Sequence, residues 1–230
     1  MEVIIQNLRK SYKDREILKD ISFKIEEGTI CGLLGVNGAG KSTIMKILFG
    51  LERADSGEVL FNGKPEEIGE NNRCEIGALI ESPAIYLNLS AYDNLKTRAL
   101  LYSIADERIQ EVLQLVGLAD TGKKKAGHFS LGMKQRLGLG MAIITNPDLL
   151  ILDEPTNGLD PEGIKELLNL IRKLKQSGMT ILLSSHQLSE VSKVADKIVI
   201  LNQGKIFYDD INKNSNDLEK LFFRIVHGGE

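Results

Sequence analysis

The sequence has few of the features that mark membrane-spanning, secreted or nucleic-acid-binding proteins. Its nearest approach to a long apolar run, residues 138–144, is far shorter than the roughly 20 residues that a transmembrane helix needs. The first six residues alternate in polarity and include an early acid, Glu2, unlike a signal peptide. The 29 basic and 32 acidic side chains are evenly mixed, with a net charge of −3. We therefore expect a chain that does not cross a bilayer by itself and has no nucleic-acid partner.

Cysteine is also scarce, and repeats are missing. The two cysteines, Cys31 and Cys74, show no CxxC or Cys/His spacing, which argues against a disulfide framework or a zinc site and favours reduced thiols in a cytosolic protein. We find no internal repeat and no low-complexity tract. A length of 230 residues, with an apolar fraction of 42%, fits one large domain or one domain with an inserted subdomain.

Short strand patterns and longer helical patterns alternate along most of the chain. Buried strands are predicted at residues 29–34, 76–80, 149–152, 180–183 and 197–201. Alternating or turn-bounded strands are predicted at residues 3–5, 21–25, 58–61 and 205–208, with tight turns at Asn62-Gly63 and after Asn202. Helices are predicted to begin at Lys41, Ser90, Asp106, Ser130, Pro161 and Gln187. The amphipathic residues 218–226 favour a short helix that docks on the core over one that lies on a membrane.

Residues 87–144 differ from both flanks because they are rich in helix patterns and contain no strand pattern. We therefore predict a single α/β domain with a parallel-sheet core and an antiparallel β portion, formed by residues 1–86 and 145–230. Residues 87–144 would form a helical subdomain inserted into that core.

A glycine-rich segment, residues 35–42, lies between a predicted buried strand and a predicted helix. Its sequence, G-V-N-G-A-G-K-S, matches the pattern G-x-x-x-x-G-K-[ST]. The glycines let consecutive N–H groups point at one anion, and the new helix adds its positive end. Lys41 would reach the β- and γ-phosphates, and the Ser42 hydroxyl would bind Mg²⁺. The predicted phosphate-binding residues are Gly35, Val36, Asn37, Gly38, Ala39, Gly40, Lys41, Ser42 and Thr43.

Two adjacent acids, Asp153 and Glu154, end the apolar strand at residues 149–152. Unpaired buried charge is costly, so such a pair indicates a cation nearby. Asp153 is placed to hold Mg²⁺, and Glu154 to act as general base for the water that attacks the γ-phosphorus. The alternative is that one acid only caps the turn into Pro155.

Four further segments make the pattern resemble the ATP-binding-cassette (ABC) family over nearly the whole chain. The segment F-S-L-G-M-K-Q-R, residues 129–136, resembles the family's signature segment in part, because Leu131 replaces a glycine and Met133 a glutamine. Residues 157–160, N-G-L-D, resemble its D-loop. His186 resembles its switch histidine and Tyr12 its adenine-stacking aromatic residue.

The resemblance implies a P-loop NTPase fold with a RecA-like sheet, bound ATP and Mg²⁺, and hydrolysis of ATP. It also implies two ATPase subunits closing head to tail, as a homodimer or a heterodimer, so that Ser130 and Gly132 of one bind a γ-phosphate held by the other. Asp160 of the D-loop would belong to the same nucleotide site. His186 would hold the attacking water and Glu154 in line.

Glu81 is the clearest departure from the family pattern, since most relatives have a glutamine there that binds Mg²⁺ and contacts the membrane subunit. A carboxylate could still bind Mg²⁺, but it would repel phosphate oxygens if the metal left. Residues 81–86, together with the S-L-G-M signature, resemble the subgroup that serves lantibiotic immunity and bacitracin-type peptide export.

The resemblance therefore implies the ATPase subunit of an exporter, working on the inner face of the cell membrane with a separate transmembrane permease. Two alternatives stay open at this point. One is a non-transport ABC ATPase acting on ribosomes or DNA, which the single cassette and short insertion disfavour. The other is a weakly hydrolysing regulatory module, which the degenerate signature alone supports.

Overall fold

The computed structural model describes residues 1–65, 75–213 and 216–227, and its elements are numbered in chain order. The strands are β1 (Val3–Tyr12), β2 (Arg15–Ile25), β3 (Ile30–Leu34), β4 (Ser56–Phe61), β5 (Lys64–Pro65), β6 (Ile76–Leu79), β7 (Leu149–Leu152), β8 (Thr180–Ser185), β9 (Lys197–Asn202) and β10 (Lys205–Ile211). The helices are α1 (Lys41–Leu48), α2 (Ala91–Leu101), α3 (Asp106–Leu115), α4 (Leu131–Ile143), α5 (Pro161–Gln176), α6 (Leu188–Val191) and α7 (Asn216–His227). Short 3-10 turns lie at Ala119–Thr121 and Ala126–His128.

Four strands form an antiparallel sheet in the order β2-β1-β4-β5. Along β1, Val3, Ile5 and Leu8 are buried whereas Gln6 and Asn7 are exposed, as expected for a sheet with one covered face. Strands β1 and β2 extend beyond the predicted runs into a hairpin in which Tyr12 pairs with Arg15. The two-residue strand β5 was not predicted, because its residues are both exposed and carry no apolar pattern.

The second sheet has the order β10-β9-β3-β8-β7-β6, and its strands are parallel except for β10. Every residue of β3, β7 and β8 is buried, which explains their continuous apolar sequences. The carboxyl ends of parallel strands meet at one edge of a sheet, where ligands bind in folds of this kind. The segments that follow β3, β7 and β8 therefore come together at that edge.

Two apolar clusters cover opposite faces of the parallel sheet. Side chains alternate along β3, so that Leu33 joins the cluster of α1 and the antiparallel sheet, whereas Leu34 joins the other cluster. That second cluster contains residues of α2, α3, α4 and α5 together with sheet residues. Within residues 87–144 the structure has helices and one isolated bridge, Ser90 to Lys125. The division into core and helical subdomain stays a prediction.

Two predicted helix starts, Ser90 and Ser130, are N-caps with a capping side chain, which places the first helical residue one position later. The side-chain oxygens of Ser90, Ser130 and Asp160 accept hydrogen bonds from N–H groups of the first turns of α2, α4 and α5. Pro161 is the first residue of α5, as predicted. Gln187 likewise precedes the first residue of α6 but makes no side-chain cap.

The C-terminal helix α7 docks on the core, as its amphipathic sequence predicted. Leu218 is buried, and Leu221, Phe222 and Ile225 pack against the cluster on that side of the sheet. The Nδ2 of Asn202 donates a hydrogen bond of 2.6 Å to the carbonyl of Ile225. In the described part of the chain, we find no helix with the length and apolar character needed to span a membrane.

One of the two cysteines lies within the described residues. Cys31 is buried in β3 as a free thiol, and burial raises its pKa to about 12. Cys74 lies outside the described residues.

Candidate functional site

The phosphate loop, residues 35–43, leaves β3 and enters α1 through backbone that only glycine adopts easily. Gly38 and Gly40 have φ angles of 80° and 114°. A side chain at Gly35 would place its Cβ 2.3 Å from the carbonyl oxygen of Leu201. No side chain caps the N-terminus of α1, so its first N–H groups can bind an anion.

Lys41 connects the phosphate loop to the carboxylate pair. Its Nζ is buried and donates hydrogen bonds to the carbonyls of Gly35 at 2.6 Å and Val36 at 3.3 Å. The same nitrogen lies 3.0 Å from Oε1 of Glu154, an ion-pair distance without the alignment of a hydrogen bond. The lysine is therefore held at the place where a phosphate group would offer it stronger acceptors.

The carboxylates follow β7 and are fixed by residues at the end of β8. Asp153 is 5% exposed, and its Oδ1 accepts a hydrogen bond of 2.6 Å from the hydroxyl of Ser184. The backbone N–H of Glu154 donates to the same hydroxyl at 2.9 Å. The Oε2 of Glu154 lies 2.7 Å from Nδ1 of His186. Lys41 and His186, which are distant in sequence, thus both contact the carboxylate of Glu154.

A cavity of about 280 Å³ opens between the phosphate loop and the β1–β2 hairpin. Two of the residues that line it, Arg15 and Ile17, were not predicted from the sequence. The others were predicted site residues: Tyr12, Asn37, Gly38, Gly40, Lys41, Ser42, Thr43 and Glu154. Tyr12 is 40% exposed, and the Nζ of Lys10 lies 5.3 Å from the centre of its ring. No sequence pattern marked Arg15, which reaches the cavity because it pairs with Tyr12 in the β1–β2 hairpin. The cavity therefore has an aromatic wall at one side and the phosphate loop at the other.

Ser42, at the wall of this cavity, and Asp153, next to Glu154 in sequence, carry oxygen donors of the kind that Mg²⁺ prefers. Among the described residues, Asp153 forms no ion pair with a cationic side chain, so its buried carboxylate retains the capacity to bind a metal. The hydroxyl of Ser42 is a second hard oxygen donor, and Ser42 lines the cavity wall. The described residues form no cluster of three or more His, Cys, Asp or Glu side chains with metal-binding geometry. Mg²⁺ typically takes one or two protein ligands and completes its shell with phosphates and water.

Glu81 is outside this cavity and is paired with another group. Its carboxylate binds the Nζ of Lys46, in α1, at 2.6 Å, and its side chain is 66% exposed. The hydrogen bond to Lys46 holds the pKa of Glu81 below its usual range and raises the pKa of Lys46. The backbone of Glu81 has a φ of 64°, in the left-handed region. The role of Glu81 as a metal ligand stays a prediction.

Ser130, Gly132 and Asp160 line a second cavity, of about 370 Å³. None of the described residues that line it also lines the cavity of the phosphate loop. In this cavity the hydroxyl of Ser130 caps α4, and Asp160 caps α5 with a hydrogen bond of 2.9 Å. Leu131 packs against the D-loop, since a Cβ at Gly158 would lie 2.8 Å from its Cδ2. In this chain the signature segment and the phosphate loop therefore line separate cavities.

Comparison with known proteins gives matches along most of the chain. The profile of the ABC transporter family matches residues 18–157. The lantibiotic transport ATP-binding protein SrtF of Streptococcus pyogenes is 49% identical over 218 residues, which cover 95% of this chain and 94% of that protein. The bacitracin transport ATP-binding protein BcrA of Bacillus licheniformis is 42% identical, with 94% and 73% covered. A solved ATP-binding subunit of an ABC transporter superposes with a TM-score of 0.82 at 30% identity, covering 98% of this chain and 95% of its own.

Proposed function

The chain belongs to the ABC transporter family as an ATP-binding, ATP-hydrolysing subunit, and we propose that it drives export of an antimicrobial peptide through a separate membrane subunit. The relatives named for lantibiotic and bacitracin transport support this substrate class. The observation that carries the proposal is the meeting of Lys41, Glu154 and His186 at one edge of the parallel sheet.

In the proposed reaction, water attacks the γ-phosphorus of ATP and the bond to the β–γ bridging oxygen breaks, which gives ADP and phosphate. Glu154 accepts the proton of the water, and its Oε2 is held for that task by Nδ1 of His186. Lys41 exchanges its contacts with loop carbonyls for phosphate oxygens and offsets their charge. Mg²⁺, bound through Ser42 and Asp153, would supply further neutralisation of the phosphates.

The aromatic side of the cavity is proposed to select the base of the nucleotide. Tyr12 offers an exposed ring for stacking, and Ile17 offers apolar area beside it. Arg15 adds a cation to the same wall, where phosphate or sugar oxygens can accept hydrogen bonds.

A second ATPase subunit is part of the proposal. The signature residues Ser130 and Gly132 lie at a cavity distinct from that of the phosphate loop, which supports a second cassette, identical or different, that brings its signature to this ATP. The N-terminus of α4 would then point at a γ-phosphate of the partner. Closure of two cassettes around ATP, and reopening after hydrolysis, is the motion that would drive transport.

The membrane subunit is proposed to dock beside Glu81. A groove of about 190 Å³ lies there between the sheet edge and α4, lined by residues that include Leu51, Ile80, Ser82, Ala84 and Met141. Leu51 is an exposed large apolar side chain in this groove, of the kind that interfaces cover. Such docking would hold the chain at the cytoplasmic face of the membrane.

The test is a resistance assay in cells that produce this chain with the membrane subunit that co-purifies with it. We expect the minimal inhibitory concentration of a lantibiotic or of bacitracin to rise, and cells with the Glu154→Gln chain to stay as sensitive as cells without the transporter. Unchanged sensitivity to both peptides, in cells whose purified complex hydrolyses ATP, would contradict peptide export and leave the ATPase activity standing.

A further inference from the structure

A buried hydrogen bond joins the turn after β7 to helix α6. The hydroxyl of Thr156 donates to Oε2 of Glu190 at 2.6 Å, across 34 positions of sequence. Thr156 is 5% exposed and Glu190 is 6% exposed. Among the described residues, no cationic side chain forms an ion pair with Glu190, although a buried carboxylate is costly to keep. Neither residue has a part in the chemistry proposed above.

The turn that this bond holds contains backbone that a glutamate rarely adopts. Glu154 has a φ of 48°, in the left-handed region, where residues other than glycine are disfavoured. Such a conformation persists only where the surroundings impose it. One local bond, from the N–H of Asn157 to the carbonyl of Glu154 at 3.1 Å, closes the turn on itself.

The Nζ of Lys41 lies 3.0 Å from Oε1 of Glu154, and the N–H of Asp153 donates to the carbonyl of Leu79 at 2.8 Å. Four further hydrogen bonds to this turn come from one short segment, residues 184–190. The hydroxyl of Ser184 binds Oδ1 of Asp153 and the N–H of Glu154, on the strand side of the turn. His186 binds the side chain of Glu154 itself. Glu190 binds Thr156, on the far side of the turn. Glu154 is therefore held at its own backbone N–H by Ser184, at its side chain by His186, and through Thr156, two residues later, by Glu190.

We propose that Ser184 and Glu190 are positioning residues that hold Glu154 in place for hydrolysis, Ser184 through the backbone of Glu154 and Glu190 through Thr156. This proposal rests on the proposed role of Glu154 as general base. It follows because a proton acceptor must be placed within hydrogen-bond reach of the attacking water, and a misplacement of about 1 Å can lower a rate by about 10²-fold. Binding of ATP by the phosphate loop does not need that precision at Glu154.

The central test compares Thr156→Val, which keeps the shape and removes the hydroxyl, with Thr156→Ser, which keeps the hydroxyl. In the valine variant we expect kcat for ATP to fall by about ten- to a hundredfold, with KM changed by less than about twofold. In the serine variant we expect kcat to be close to that of the wild-type protein. Glu190→Leu should behave like the valine variant. Ser184→Ala should also lower kcat, but KM is expected to change as well, because the Ser184 hydroxyl also binds Asp153. Glu190→Gln, which retains an acceptor oxygen, should behave like the serine variant.

Thr180→Val is the matched control. Thr180 is a buried hydroxyl in the same strand as Ser184 but at its other end, where it accepts a hydrogen bond of 2.9 Å from the N–H of Gly28. Its loss should lower the unfolding temperature and leave kcat within about twofold, because it touches nothing near Glu154. The double variant Thr156→Val with Glu190→Leu should be no slower than either single variant, since both remove the same bond.

Each outcome decides between defined alternatives. A kcat for Thr156→Val within twofold of the unchanged protein, when Glu154→Gln is inactive, would overturn the positioning role and leave the general base in place. The positioning role would also be overturned if Thr156→Val and Thr180→Val lost kcat in the same proportion to the fall in their unfolding temperatures. Turnover retained in Glu154→Gln would instead contradict the proposed reaction.

Discussion

Replacement of Gly35 by alanine is a direct test of how tightly the fold holds the phosphate loop. The loop passes over the end of β9 so closely that the new Cβ would lie 2.3 Å from the carbonyl oxygen of Leu201 and 3.2 Å from the Cβ of Ala39. A carbon and a carbonyl oxygen approach to about 3.3 Å at best, so the loop must move by about 1 Å. The loop cannot move without displacing the N–H groups that would bind phosphate.

We therefore expect Gly35→Ala to reduce ATPase turnover by about 10²-fold and to weaken binding of a fluorescent ATP analogue. Overpacking of this kind also costs about 1–3 kcal/mol of stability, which thermal unfolding would measure.

Gly178→Ala separates loss of stability from loss of function. Gly178 lies just before β8 with a φ of 98°, and no atom lies within 4 Å of a Cβ placed there. The strained backbone should cost about 1–2 kcal/mol and leave turnover unchanged, because the position is at the opposite end of the strand from the site. If Gly35→Ala hydrolysed ATP as fast as Gly178→Ala at equal stability, the contact with Leu201 would not be what places the loop.

Three further predictions concern charges and a thiol. Lys41→Ala should lose about 1.5–3 kcal/mol of ATP-binding free energy, measured by calorimetry, and an unchanged Kd would contradict its role. Glu81→Gln should bind ATP normally but alter turnover in the complex with the membrane subunit. The hydrogen bond from Lys46 lowers the pKa of Glu81, so the pair stabilises the fold at pH values above the ordinary glutamate pKa of about 4.3. This stabilisation is lost as the pH falls through the lowered pKa. The glutamine variant should therefore lose less stability in acid. With Cys74 replaced by serine, Cys31 should resist a thiol reagent until the chain unfolds, since burial raises its pKa to about 12.

The sequence was most informative where chemistry and position are local. The phosphate loop is one contiguous segment, and its glycines take the backbone angles that the motif requires. The buried strands were found because a parallel sheet covered on both faces needs continuous apolar runs. The helix start at Pro161, recognised from Asp160 before it, agrees with the structure. The predicted starts at Ser90 and Ser130 are one residue early because these two residues are the N-caps.

Contacts between distant segments could not be obtained in this way. The order of strands predicts which segments share an edge, but it does not predict which atoms meet there. Three such contacts depend on how far neighbouring strands and helices are shifted along one another. They are the pairing of Lys41 with Glu154, the bond of Thr156 to Glu190, and the pairing of Glu81 with Lys46.

Substitution of Glu154 by glutamine, measured in both ATP turnover and ATP binding, tests the central claim most directly. If Glu154 activates the attacking water beside Lys41, turnover should fall by about 10²–10⁴-fold while ATP binding persists. Glu111→Gln, at an exposed carboxylate that pairs with Arg108, should leave both quantities unchanged. A Glu154→Gln chain that hydrolyses ATP within tenfold of the unchanged protein would contradict the account.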